Sequence, residues 1–348
     1  MKKIFGVVVL LALCSGMVFA GGSQAGRKVW PAGTSAVSER DGKTYTADSF
    51  GYKPVSNTTG KTFRIAVLCI QNNPFWNDVT SGAYAAKAVL GLDTYKCEVD
   101  YKFAPQFDGQ TFSDMIDTCI AMDYDAITTV GVADSIVPAI DRAAAAGIPV
   151  YTFNSDTGIP SKKVAFVGQD LYGAGTKLAE SLIKKMGGQG KVAMITGLFS
   201  VNAHELRRQG AMKAFDAVPG ITVLPAVEDH DSADEAYTQA KDFITSNPDL
   251  KGLYLCAGGS HGAAQAITEL AKTRDITMVC FDTYAELIPY IKSGAIDSTL
   301  TQDPFGQGSD PVILAYNQLV TGKPEKTGNA FTKMDEVDPS NVNQYFPD

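Results

Sequence analysis

The chain has 348 residues, 45% of them hydrophobic, with 30 Lys and Arg against 38 Asp and Glu and a formal net charge of −8. That length suits two domains with sizeable cores, and an acidic balance with no basic stripe argues against nucleic acid as a partner. The six cysteines show no C-x-x-C spacing and the three histidines are isolated, so the sequence calls for no metal and no cofactor.

Lys2-Lys3, the apolar run Ile4 to Leu13 and the small-x-small sequence Val18-Phe19-Ala20 read as a signal peptide over residues 1–20. Cys14 offers the alternative of a lipidated cysteine, although Leu13 stands where such sites want Gly, Ala or Ser. No other apolar run approaches the roughly 20 residues of a membrane span. Cleavage after Ala20 removes Lys2 and Lys3, which takes the net charge to −10. It also leaves Cys69, Cys97, Cys119, Cys256 and Cys280, which read as small buried hydrophobes. A Cys69–Cys97 disulfide is the alternative. Residues 21–61 are rich in Gly, Ser, Thr and Lys without periodicity and are expected to form a flexible leader.

From residue 62 strand-like and helix-like segments alternate. Strands are predicted at 63–70, 96–103, 125–130 and 148–153, with helices at 75–90, 110–122 and 134–146. Such a βαβ series gives a parallel sheet covered on both faces. A second series follows, with strands at 164–167, 191–196, 221–227, 251–256, 276–281 and 296–301 and helices at 172–186, 204–217, 233–246, 261–272 and 284–292. The expected fold class is α/β, with two doubly wound, Rossmann-like lobes and a cleft between them.

The stretch Ile65 to Trp76 carries the sharpest signal. A buried strand ends in Gln71-Asn72-Asn73, then Pro74, then Phe75-Trp76. Proline suits the first turn of a helix, so Asn73, Phe75 and Trp76 fall at the carboxyl end of a strand, where open α/β sheets bind ligands. Amides beside flat apolar rings suit a sugar, which is polar round its rim and apolar on its C–H faces. Asn154, Asp282 and Gln302 recur at other strand ends, and Asp282 could accept two hydroxyls. Of the adjacent Arg207 and Arg208, about 100° apart on a helix, at most one can face a cleft.

Gly258-Gly259-Ser260-His261-Gly262 matches the G-x-S-x-G nucleophile elbow between a strand and a helix. A hydrolase at Ser260 would need a histidine base further on, and none follows except its neighbour His261. Glycines admitting close backbone approach at a cleft edge are the better account. Asp229-His230-Asp231 fits a strand-end loop rather than a metal ligand set.

These residues together resemble the ribose-binding-protein-like, or LacI-like, type I family of periplasmic solute-binding proteins, over essentially all of residue 62 to the end. The Asn-Asn-Pro-Phe-aromatic run is its most specific motif. The resemblance implies that Asn73 bonds a sugar and that Phe75 and Trp76 stack on it. It carries ligand contacts onto Asn154, Ser155, Arg207, Asp282 and Gln302, places His230 where the family has an aromatic, and places Gly258-Gly259 where it has Asn-Asp. Ribose binders have aspartate and arginine at the positions of Asn154 and Ser155. These departures point to another pentose, a hexose, a deoxysugar or a polyol, and the run Asn154 to Thr157 is closer to the branch of rhamnose and autoinducer-2 binders.

The resemblance also implies three lobe crossovers, near 168–170, 302–304 and about 328. Lobe one would then be 62–168 plus 303–328, and lobe two 169–302 plus 329–348. It implies a monomer in the periplasm or at the cell surface that hands a sugar or polyol to an ABC permease. The same fold could instead present a signal to a chemoreceptor.

Overall fold

The computed structural model describes residues 33–70, 74–270 and 275–347. The signal-peptide segment, Cys14 and Asn73 lie outside the described residues. Among the described residues no helix is long and apolar enough to cross a membrane.

The leader is not the coil expected of it from residue 33 onward. β1 (Ser35–Val37) and β2 (Thr44–Thr46) pair as an antiparallel hairpin, and residues 47–60 continue as a strap along lobe one. What the composition hides is a set of partners more than 200 residues away. Asp310 accepts from the Gly51 N–H at 3.0 Å, and Asn317 brackets the strap by accepting from Val55 N and donating to Lys53 O, both at 3.0 Å. Tyr45 stacks on Phe305 with ring centroids 5.6 Å apart.

Lobe one begins with β3 (Phe63–Ile70), α1 (Pro74–Leu90), β4 (Cys97–Ala104), α2 (Gly109–Ala121), β5 (Ala126–Val130), α3 (Val137–Ala145), β6 (Val150–Phe153) and β7 (Ala165–Gly168). The strands are near-continuous apolar runs because helices cover both faces of the sheet. In lobe two follow α4 (Leu171–Lys185), β8 (Gly190–Thr196), α5 (Asn202–Asp216), β9 (Ile221–Val223), β10 (Val227–Glu228) and α6 (Ala233–Ser246). Then come β11 (Leu250–Leu255), α7 (Ser260–Glu269), β12 (Thr277–Phe281), α8 (Ile288–Ser293) and β13 (Ser298–Leu300). The single strand expected over 221–227 is divided at Leu224-Pro225-Ala226, because proline has no N–H for the ladder.

The chain then returns. α9 (Pro304–Thr321) packs on α1, and β14 (Gly328–Phe331) pairs in parallel with β7. β15 (Glu336–Val337) pairs antiparallel with β13, and α10 (Val342–Tyr345) closes the chain. The first sheet runs β14-β7-β6-β5-β3-β4, and the second β10-β8-β11-β12-β13-β15 with β9 also on β8. Because Gly328–Phe331 still belong to the first sheet, the last crossing falls at 332–335, a few residues beyond the expected 328. Periodicity does not reveal α9, which is buried through most of its middle and so shows no polar face.

Alternation along the second sheet sorts its core into two layers. Ala193, Ile195, Leu253, Leu255, Met278 and Cys280 pack toward α6 and α7. Val192, Met194, Tyr254, Cys256, Val279 and Phe281 pack toward α4 and α5. Two helix pairs are pinned by close backbone approach. A Cβ on Gly82 would lie 2.0 Å from Phe305 O and one on Gly308 1.9 Å from Val79 O, so α1 and α9 can touch only through glycine. Gly175 and Gly210 do the same between α4 and α5. The helices that carry Phe75, Trp76 and Arg207 are thus fixed by backbone packing. All five described cysteines are buried and none is in a disulfide, so no Cys69–Cys97 bond forms.

Candidate functional site

Between the lobes lies a cleft with about 470 Å³ of space between its lining atoms, part of it open to solvent. Its lining brings together Phe75, Trp76, Asn154, Arg207, Gly258, Asp282 and Gln302 from the sequence-derived set.

Lobe one supplies the apolar wall. Phe75 and Trp76, on the first turn of α1, meet edge to face with centroids 5.3 Å apart. Phe107, in the loop after β4, extends this wall 6.0 Å from Trp76. Asn154 ends β6 in the left-handed region, at φ 64°, and donates Nδ2 to Gln307 Oε1 at 3.0 Å.

Lobe two supplies charge. Arg207 on α5 is buried, and its guanidinium lies 4.0 Å above the Phe281 ring centre. Nε and Nη2 both donate to Gln169 Oε1, at 3.0 and 2.8 Å, and Nη1 donates to Cys256 O at 3.1 Å. These bonds use three of its five N–H groups. Asp282 follows β12 at φ 76° and accepts from Gln302 Nε2 on Oδ1 at 2.5 Å. Gln307 Nε2 in turn donates to the backbone and side-chain oxygens of Gln302 at 2.6 and 3.1 Å. A line of amides therefore joins Asn154 of lobe one to Asp282 of lobe two. Burial pulls the Arg207 guanidinium down and pushes the Asp282 carboxyl up, and each charge partly offsets the cost of the other.

Three expected contacts, His230, Gly259 and Ser155, lie apart from this lining, as does Ser260 of the elbow-like motif. His230 does not face the cleft: its ring is more than half exposed, with Nδ1 2.7 Å from Glu235 Oε2. His230 and Asp231 are consecutive left-handed residues, at φ 52° and 56°, and this turn sends the histidine outward and Asp231 into the cleft. Gly259 caps α7 at φ 77°, and a Cβ there would meet Ser232 O at 2.8 Å, on the side of the Ser232 loop. Ser155 is buried beside the cleft but is not part of its lining, and its Oγ has no partner among the described residues. Ser260 is fully buried and donates to Ala257 O at 3.2 Å, so it is not presented as an elbow nucleophile.

Sequence reasoning passed over Phe107, His204, Asp231 and Gln169. Phe107 had a usable signal, since it follows a strand end just as Phe75 does. His204 lies one helical turn before Arg207, on the same face. Its Nδ1 accepts from Leu198 N at 3.0 Å, which puts the ring proton on Nε2, 3.8 Å from Asp231 Oδ2. Burial holds this imidazole below its usual pKa. Beneath the loop, buried Asp229 accepts from Asp231 N at 3.0 Å, and burial pushes its carboxyl up to about 8.

The lobes also touch at the mouth of the cleft. Asn202 of α5 donates Nδ2 to Asp134 Oδ1 at 2.9 Å and to Asp156 O at 3.2 Å, both in lobe one.

Residues 65–324 match the periplasmic binding protein domain model. The chain belongs to that family. It is 28% identical over 271 residues to the D-allose-binding periplasmic protein of Escherichia coli (strain K12), covering 74% of this chain and 84% of that relative. Among solved structures it resembles an ABC transporter solute-binding protein from Agrobacterium vitis bound with α-D-tagatopyranose, at 28% identity and a TM-score of 0.72, over 81% of this chain and 96% of the other. A glucose-galactose binding protein from Geobacillus stearothermophilus matches at 26% identity and the same TM-score, over 81% and 99% of the two chains. The family is one of binding proteins, and its members act outside the cytoplasm.

Proposed function

We propose that this protein captures a monosaccharide or related polyol outside the cytoplasm, between its two lobes, and delivers it to the permease of an ABC importer. The observation that carries the reading is the make-up of the cleft. An apolar wall of Phe75, Trp76 and Phe107 faces a buried arginine and carboxylate with hydrogen-bonding capacity left over. A pyranose fits such a site because its C–H faces pack on rings while its hydroxyls pair with Arg207, Asp282, Asn154 and Gln302. The relatives and neighbours named above bind hexoses, which supports the same ligand class. Asn73, outside the described residues, belongs to the proposed site through its motif.

Sugar binding needs both walls, so the ligand favours the arrangement in which they approach. The faces brought together around Asn202 and Asp134 then form one surface for a permease. A thermal-shift screen of the purified chain against pentoses, hexoses, deoxysugars and polyols tests the reading. A sugar at 100 times its Kd adds about 2.7 kcal/mol to the folded state. At least one sugar should raise the melting temperature, and Asp282→Asn should remove that rise while the variant still melts cooperatively. A screen without any shift refutes the sugar reading.

A further inference from the structure

We infer that Asp231 is a second ligand-binding carboxylate that sets the specificity of the cleft, selecting a sugar or cyclitol with hydroxyl donors on the side facing lobe two. This rests on the sugar-binding reading above and goes further, since it names what the ligand must carry.

Much of the local structure exists to place this one side chain. Two consecutive non-glycine residues, His230 and Asp231, take left-handed backbone, a strain that the rest of the fold must offset. Gly197 and Gly258 leave room for the carboxylate, because a Cβ on either would lie 2.7 or 2.9 Å from Asp231 Oδ1. Gly258 N donates to that oxygen at 2.8 Å and fixes the carboxylate plane. The other oxygen makes no hydrogen bond among the described residues, and His204 Nε2 stands 3.8 Å from it. A carboxylate can accept about four hydrogen bonds, so Oδ2 is an acceptor on a cleft wall with no partner among the described residues.

All the aromatic lining residues belong to lobe one, whereas lobe two offers Arg207, Asp282, Asp231 and the neutral ring of His204. A ligand therefore meets rings on one side and two separate acceptors on the other. Asp282 already spends one oxygen on Gln302, so Asp231 reads a different hydroxyl. A deoxysugar lacking that hydroxyl leaves Oδ2 desolvated and unpaired, the costlier kind of mismatch.

The test uses the whole mature chain and calorimetric titration with D-allose, D-tagatose, D-galactose and myo-inositol. For whichever binds best, Asp231→Asn should weaken binding at least about tenfold, since a hydrogen bond to a charged group is lost. The asparagine keeps an oxygen for Gly258 N–H, and Asp242→Asn, exposed on α6, should bind as the parent does. Equal affinity of Asp231→Asn and the parent overturns the inference while leaving sugar binding intact. Failure of the parent to bind these four or any sugar of the thermal-shift screen overturns both. Should the variant not fold, a crystal structure of the parent with its best sugar decides. A hydroxyl within about 3.0 Å of Asp231 Oδ2 supports the assignment, and a carboxylate bonded only to protein and water overturns it.

Discussion

Asp229 should make the protein less stable as pH rises through the neutral range. Its carboxyl is 1% exposed and burial lifts its pKa from 3.8 to about 8, with the neighbouring Asp231 charge adding to the rise. The folded state therefore holds a proton that the unfolded chain has already released. For a raised carboxyl, the contribution to stability is complete below the unfolded value of 3.8 and is lost as pH climbs toward 8. Within that window the slope is about 1.4 kcal/mol per pH unit. Asp229→Asn removes the group while keeping an oxygen for Asp231 N–H. The variant should gain about 2.7 kcal/mol relative to the parent between pH 5 and pH 7, that is, over two pH units. Asp310, raised to about 6, and His204, lowered, titrate in both proteins and cancel in the difference. Urea unfolding at half-unit steps, converted with each protein's own m value, reads this directly. Parallel stability–pH curves for parent and variant would refute the reasoning, because Asp229 would then be ionised in the folded protein.

Other expectations follow from the same geometry. Gln169→Ala removes the acceptor of two Arg207 N–H bonds, so affinity for the best sugar of the screen should fall about 10- to 100-fold; calorimetry giving an unchanged Kd would show that Arg207 needs no such support. Gly82→Ala sets a methyl 2.0 Å from Phe305 O, and forcing α1 from α9 should cost about 1–3 kcal/mol, visible as a lower urea midpoint, whereas an unchanged midpoint would deny the close crossing. Asn202→Ala cuts both bonds at the cleft mouth. Small-angle scattering of the sugar-free variant should give a larger radius of gyration than the parent, and identical profiles would exclude Asn202 as a latch.

The parallel lobes were legible because buried strands and amphipathic helices alternate with clear punctuation from residue 62 onward. The aromatic wall was legible because Asn-Pro-Phe-Trp is a local pattern at a strand end. The errors came where an answer depended on distant partners or on backbone sign. Nothing in Gly, Ser and Thr content tells that Asn317 and Asp310 will hold residues 51–55. Nothing in Asp229-His230-Asp231 tells which side chain turns inward, because that depends on two left-handed residues that only the folded loop stabilises. Gln169 carries no local signal, because its worth lies in an arginine 38 residues away that it meets only after folding. α9 escaped notice since a helix buried on most sides has no periodic polar face.

The strap has a mechanical meaning. Its described bonds run to α1, the turn before β4 and α9, all in lobe one. Residues 47–60 are thus riveted to one jaw of the clamp, and among the described residues their side-chain bonds leave the other untouched. The jaw so reinforced bears the aromatic shelf, while Arg207, Asp282 and Asp231 stand on the other.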